Sequence, residues 1–322
     1  MLLIAPVTID ICTILGIDPR PYLIGEVILS NIGGTATLIG DPPNIIIGSD
    51  IEEVGFVDFI INIAPCIVVF CIPISLAIVS KVFVVNSDAE QPLELDRTRL
   101  TSLYPIYDEP RLLIAGIVAS FVIMTFFFHP IHHKDSAWIS LLGAFLTITF
   151  THPHDVQTSL RNHVEWDTLL FFAGLFVLVA VVDAMGLLTF IGEVLVGIIE
   201  SEPEEYQQVS AISLIIWVSA ITSGFLDNIP FTTTMIPVIK ILAEELPNTL
   251  HIKTLAWSLS FGACLGGNMT LLGASANIVT AGIASSKGYQ ISHYNFFVPG
   301  SLISLVTIAI SHLYMLIVFT MA

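Results

Sequence analysis

Two stretches of this chain place glycine, threonine and asparagine where a membrane helix would ordinarily be apolar throughout. Residues 33–44 read GGTATLIGDPPN and residues 266–277 read GGNMTLLGASAN. A constant offset of 233 pairs Gly33 with Gly266, Gly34 with Gly267, Thr37 with Thr270, Leu38 with Leu271, Gly40 with Gly273 and Asn44 with Asn277. These are poor interior residues for a long helix, so their repetition in register predicts a duplicated, broken helix. The break is expected at Gly40 and Asp41 in one copy and at Gly266, Gly267 and Gly273 in the other. Backbone groups freed at mid-membrane survive only where they are buried or line a wet cavity. A ligand can supply their partners. Asp41 followed by Pro42 reads as an N-cap and a proline at the first helical position. The restarted half-helix would offer its positive end to an anion, while the carbonyls ending the previous half suit a cation.

The ion-binding candidates follow from that pattern. They are Asn31, Gly33, Gly34, Thr35, Thr37 and Asn44 in the first copy, and Asn268, Thr270, Ser275 and Asn277 in the second. Asp227 lies in a third interrupted stretch, SGFLDNIPFTTT. An acid in an apolar hairpin is costly and is a functional hypothesis by default. Asn228, Thr232 and Thr233 beside it would coordinate a cation or hold Asp227 as a proton carrier. Plainer readings stand next to these: small residues permit close helix packing, and Asp41 or Asp227 would serve simply as a helix cap. Two copies in register weigh against packing alone. Asp183 and Glu193 read as interfacial. The sequon at Asn268-Met269-Thr270 is set aside, since a glycan cannot sit at mid-membrane.

The elements that must position these residues are read from apolar length. Of 322 residues, 55% are hydrophobic and 11% charged, with a mean hydropathy of +0.88, which marks an all-α polytopic membrane protein. The net charge of -17 argues against nucleic acid as a partner. Met1 to Ile17 carries Asp10 and no basic leader, so it reads as membrane domain rather than a signal peptide. Full crossings are expected near 57–85, 111–129, 136–151, 167–187 and 295–321, with broken helices at 21–49 and 252–286 and a re-entrant hairpin at 206–246. An even number of crossings separates the two broken helices, so they should run antiparallel as inverted repeats, the arrangement of many secondary transporters.

The organisation is then the remainder of a first repeat at 1–85, a loop at 86–110 and a second repeat at 111–322. Seven basic residues (Arg20, Lys81, Arg97, Arg99, Arg111, Arg161, Lys287) fall on one side and three (Lys134, Lys240, Lys253) on the other. The positive-inside rule makes the first side, with the 86–110 loop, cytoplasmic. The C-terminus is then luminal or extracellular. By symmetry a first hairpin should precede the first broken helix, and only its tail, MLLIAPV, matches the second, so an amino-terminal truncation is expected.

Neither histidines nor cysteines suggest a further site. His129, His132 and His133 are separated from His152 and His154 by the 136–151 crossing, so no metal centre is expected. Cys12, Cys66, Cys71 and Cys264 lie in apolar segments and read as small hydrophobes with no disulfide framework.

At Ser30 to Asn44, SGFLDNIPFTTTMIP, FGACLGGNMTLLGASAN and the VEWDTLLFF of residues 164–172, the chain resembles the P protein family. These are the pink-eyed dilution or oculocutaneous albinism type II proteins, in the ion transporter superfamily with the ArsB and NhaD families and, more distantly, the dicarboxylate/sodium symporters. It differs in lacking the amino-terminal third or more and in a shorter loop at 86–110. The resemblance implies re-entrant hairpins meeting two broken helices, anion flux, and control of luminal pH in melanosome-like acidic organelles. It also implies a homodimer. By position it selects Asn31, Thr35, Thr37, Asp227, Asn228, Thr232, Asn268, Thr270 and Asn277.

The reading is a secondary ion transporter, moving a chloride-like anion or exchanging Na+ for H+, with the lipid bilayer and a small inorganic ion as partners and no cofactor beyond a coupling Na+ or H+. An anion channel of the same fold is the first alternative, and a transport-incompetent truncated isoform the second. An intramembrane aspartyl protease would need GxGD, and Leu38-Ile39-Gly40-Asp41 lacks its first glycine. HExxH and GxSxG are also absent, so an enzyme is not expected.

Overall fold

The computed structural model describes residues 1, 4–84, 108–128, 136–151, 156–164 and 166–320. Residues 86–107 of the expected loop and the histidines at 129, 132, 133, 152 and 154 lie outside the described residues, as do Arg97, Arg99 and Lys134. Every regular element among the described residues is a helix. Contacts group the chain into two compact units, one of Met1–Val54, Asp58–Leu93 and Val179–Ala322, the other of Gly55–Val57 and Glu94–Leu178.

The smaller unit holds α6 (Glu109–Phe127), α7 (Ser136–Thr151), α8 (Val156–His163) and most of α9 (Trp166–Ala184). The Asp108 side chain accepts the Arg111 amide and so caps α6. Val122 of α6 packs over Gly143 of α7.

The larger unit contains α1 (Ile4–Leu15), α2 (Arg20–Thr35), α3 (Pro42–Asp50), nearly all of the short α4 (Phe56–Asn62) and α5 (Ala64–Val82). After the smaller unit come α10 (Leu187–Glu200), α11 (Glu204–Phe225), α12 (Asn228–Glu245), α13 (Ile252–Gly266), α14 (Ser275–Ser286) and α15 (His293–Thr320). Helices α5, α6, α11 and α15 are long and apolar enough to cross a membrane. Their outward faces stay apolar and exposed, as at Val68, Phe70, Leu113, Phe121, Leu305 and Leu313, which suits lipid as the surrounding solvent.

The two interrupted helices run antiparallel. Leu23, near the start of α2, shares a buried cluster with Ala284, near the end of α14. At the opposite end, Asp50 closes α3, pairs with Lys240 and lines a cavity with His251 and Lys253 at the start of α13. So α2–α3 and α13–α14 traverse the same thickness in opposite senses. The expected inversion is therefore present in the packing itself.

Helices α11 and α12 form the hairpin. Gln207 at the base of α11 accepts from Thr249, just beyond α12, so both arms begin and end on one side, and the tip at Leu226-Asp227 lies at the depth of the second break. The structure differs from the sequence reading after residue 184. A crossing was expected near 167–187, with the stretch from there to the hairpin at 206 unassigned. Instead the chain turns by 67° and continues as α10. Gly186 sits at the turn with φ 79, a left-handed conformation that costs glycine nothing.

Candidate functional site

Each break is closed by its own asparagine. Asn44 Nδ2 donates to the carbonyls of Thr35 at 3.1 Å and Thr37 at 3.0 Å, and more weakly to Gly34 at 3.5 Å. Asn277 Nδ2 donates to those of Gly267 and Thr270, both at 2.9 Å. Under the 233 offset Thr37 and Gly34 correspond to Thr270 and Gly267, so the two braces are the same structure built twice. Both asparagines are fully buried. They satisfy carbonyls that the broken helix would otherwise leave bare, at about 1–3 kcal/mol for each group.

The glycines let the chain fold back tightly enough for this. A Cβ on Gly34 would lie 2.5 Å from the Gly40 carbonyl oxygen, and one on Gly267 would lie 2.8 Å from that of Gly273. In the reverse direction, a Cβ on Gly40 would collide with the Gly34 carbonyl, and one on Gly273 would come within 2.7 Å of the Gly267 carbonyl. Such approaches leave no room for a side chain.

The two breaks also hold each other. Asn31 Nδ2 on α2 donates to Asn277 Oδ1 at 2.9 Å, and Cys264 Sγ on α13 donates to Asn44 Oδ1 at 3.3 Å. Positions 31 and 264 are offset partners, as are 44 and 277, so the contacts are reciprocal, as two-fold symmetry requires. Ser260 Oγ adds a second bond to Asn44 Oδ1 at 2.6 Å.

These bonds fix the amide orientations. Asn277 turns its nitrogen to carbonyls, which only accept, so its oxygen is left to accept from Asn31. Asn31 spends its other hydrogen on Asn268 Oδ1 at 2.9 Å. The Asn268 nitrogen is thereby turned away, fully buried and without a partner.

The hairpin tip closes on the second break. Thr270 Oγ1 donates to the Gly224 carbonyl at 2.6 Å and Ser223 Oγ to that of Ala263 at 2.6 Å, while Gly224 packs on Met269. From the other side, Gly300 of α15 presses on the Asn268 carbonyl. Asp227 caps α12, its Oδ1 accepting the Ile229 amide at 3.0 Å. Next to it Asn228, 2% exposed, keeps Nδ2 buried and unpartnered.

Asp41 behaves differently. It occupies the N-cap position of α3 with extended backbone, yet its side chain makes no capping bond. The next two residues are Pro42 and Pro43, which have no N–H. The first amides available, those of Asn44 and Ile45, already go to the Asp41 carbonyl at 3.0 and 3.3 Å. Asp41 is 9% exposed and its Oδ2 makes no hydrogen bond, with the Cys264 thiol and the Asn228 amide approaching as potential donors and Asp227 as a like charge.

The remaining sequence candidates are placed less centrally. Thr35 is buried and donates to the Asn31 carbonyl at 2.9 Å. Thr232 and Thr233 donate to the carbonyls of Asn228 and Ile229 in their own helix. Ser275 opens α14 on an exposed surface, and Gly33 has nothing within 4 Å of where its Cβ would be. Gly266, in contrast, is pressed against the Ala220 backbone.

Ser260 and Cys264 were not among the sequence candidates. Only the offset, which sets Cys264 opposite Asn31, would have found the thiol. Among the described residues no cluster of histidine, cysteine or acidic side chains has a metal-binding arrangement. On these elements two amide nitrogens, of Asn228 and Asn268, and one carboxylate oxygen, of Asp41, are buried without a hydrogen-bond partner.

Comparison with known proteins gives a consistent picture. The citrate transporter (CitMHS) family model matches residues 1–262. The chain is 36% identical to the human P protein over 98% of its own length and 46% of that protein. It is 36% identical to an uncharacterized transporter of Mycobacterium tuberculosis, and 35% to the 46 kDa membrane protein of Mycobacterium leprae, each over 98% of this chain and 71% of the relative. It thus spans about half the length of the P proteins it matches.

Proposed function

The chain belongs to the citrate transporter family, and we propose that it is a secondary ion transporter whose cargo is an anion held where the two helix breaks meet the hairpin tip. The observation that carries this is the pair of buried, unpartnered amide donors on Asn228 and Asn268. A dry, unpaired N–H is costly, and an anion is a ligand that removes that cost. The starts of α3 and α14 add their positive dipole ends. Asp41 and Asp227 supply negative charge beside the donors, which suits a coupling Na+ or H+ moving with or against the anion.

The family name points to carboxylates, and the resemblance to P proteins points to a chloride-like ion, with Na+/H+ exchange as the other reading. In the organellar reading the protein sits in the membrane of an acidic, melanosome-like compartment and alters luminal pH. The 86–110 loop is then cytoplasmic and the C-terminus luminal or extracellular. The two repeats, 1–85 and 111–322, would rock about the site, and two copies would form a homodimer.

The test is flux in proteoliposomes loaded in turn with citrate, chloride and sodium. Asn268→Ala and Asp227→Asn should each reduce flux at least tenfold, about 1.4 kcal/mol of lost transition-state binding. Flux that neither substitution changes would remove the site. Counterflow, in which unlabelled cargo outside accelerates exit of labelled cargo, marks a carrier; its absence with sustained flux would favour a channel.

A further inference from the structure

The two repeats are nearly alike at the break, but only one carries an acid there: Asp41 stands where the other has Ala274. We propose that Asp41 is a proton-binding group of the transport cycle, taking up H+ at its unpartnered Oδ2 and returning it to water on the other side. The inference rests on the transport reading above but is tested separately.

The argument is one of partners. A carboxylate this deeply buried needs compensation or it is neutralised. Asp227 has compensation, since it accepts the Ile229 amide at the start of α12. Asp41 has been denied the same bond by Pro42 and Pro43, and the next two amides are spent on its own carbonyl. Two carboxylates lie within electrostatic reach of each other, one with a helix-cap hydrogen bond and one without. Proximity of like charge adds to the reason for the second to hold a proton.

The helices packed against α3 are α12 and α13. The titratable groups they bring to Asp41 are Asp227 and Cys264, and the thiol is already committed to Asn44 Oδ1. A metal cation would want several oxygens. The neighbours here are instead a thiol and an amide group, with Asp227 the other carboxylate. A proton needs only one lone pair. Uptake converts the carboxylate to a neutral carboxyl and release restores it, so one positive charge crosses for each cycle in which Asp41 is loaded on one side and emptied on the other.

The test needs no known cargo. Infrared difference spectra of the chain in lipid bilayers, recorded between neutral and alkaline pH, should show a buried protonated-carboxyl band that shifts in heavy water. Asp41→Asn should abolish it, Asp41→Glu should restore it at a shifted frequency, and Asp227→Asn should leave it in place with an altered pH midpoint. The same band in Asp41→Asn as in the parent, or a carboxylate band that responds to Na+ with no protonated form, would overturn the assignment. In liposomes with an entrapped pH dye, Asp41→Asn should abolish proton movement and Asp41→Glu should restore it; proton movement that persists in Asp41→Asn would overturn the assignment. Absence of flux in the parent would count against the transport reading alone, since the infrared result stands without it.

Discussion

The first break, residues 36–41, and the second, residues 267–274, share one skeleton and differ in chemistry. The shared part is mechanical. Gly34 and Gly40, like Gly267 and Gly273, allow the fold-back, and Asn44, like Asn277, braces it with paired carbonyls. The differing part is chemical: under the same offset Asn31 corresponds to Cys264, Thr35 to Asn268, and Asp41 to Ala274. A duplicated frame has thus kept what closes the backbone and diverged in the side chains around it. The second break contributes an unpartnered donor and the first an unpartnered acceptor.

The largest expected effect separates the two halves mechanically. Gly266→Ala would place a methyl 2.5 Å from the Ala220 carbonyl oxygen of the hairpin arm, and overpacking against backbone should cost about 3 kcal/mol. Gly33→Ala, its offset partner, meets open space and should gain about 0.5–1 kcal/mol from helix propensity. Thermal unfolding in detergent should therefore shift in opposite directions. Shifts of the same sign would mean that the two surroundings are equivalent after all.

A smaller effect tests the reciprocal bonds. Asn31→Ala strips the donor from two buried amide oxygens, on Asn268 and Asn277, and should destabilise by about 2 kcal/mol. Cys264→Ala removes only a weak donor, and Asn44 Oδ1 keeps the Ser260 hydroxyl at 2.6 Å, so the loss should stay below about 1 kcal/mol. Equal losses in the same unfolding assay would show that the thiol carries more of the brace than its chemistry suggests.

How much of this the sequence disclosed follows from what is local. Apolar length and helix-breaking residues are local signals, so the double motif, the hairpin tip and the antiparallel sense of the broken helices were all readable. Pairings between segments were not. Cys264 lies in an apolar run and reads as a small hydrophobe until its partner, Asn44, 220 positions away, is known. Asn31, Asn44 and Asn277 were read as ion ligands, and the structure shows their amide nitrogens already committed within the protein. Asp41 followed by Pro42 reads as an N-cap; the structure keeps the position but not the capping bond, because Pro43 has no amide to give and the Asn44 amide goes to the Asp41 carbonyl. The continuation of the chain into α10 was not legible, since a glycine turn inside a long apolar run leaves little trace in hydropathy.

The smallest effect concerns the approach to each broken helix. Asp18 and Arg20 precede and open α2, and the offset sets His251 and Lys253 at the same places before α13. Arg20 reaches back two residues to Asp18 at 2.6 Å, whereas Lys253 reaches Asp58 at 3.3 Å, 195 positions away. The Arg20 guanidinium hydrogen-bonded to Asp18 holds its carboxyl below the usual range against a smaller opposing effect of burial. With the folded value depressed, the pair's contribution is present above the unfolded carboxylate's value of about 3.9 and is lost as pH falls through the folded value. Both side chains are more than 40% exposed, so solvent screening should hold that contribution to less than about 0.5 kcal/mol. Asp18→Asn should accordingly change stability slightly at pH 7 and converge with the parent in strong acid. Lys253→Met should cost more, because its bond joins α13 to a distant segment rather than closing a two-residue loop. If pH-resolved unfolding in detergent ranked them the other way, the local pair at the first approach would be the stronger anchor, and the two approaches would differ in the opposite sense.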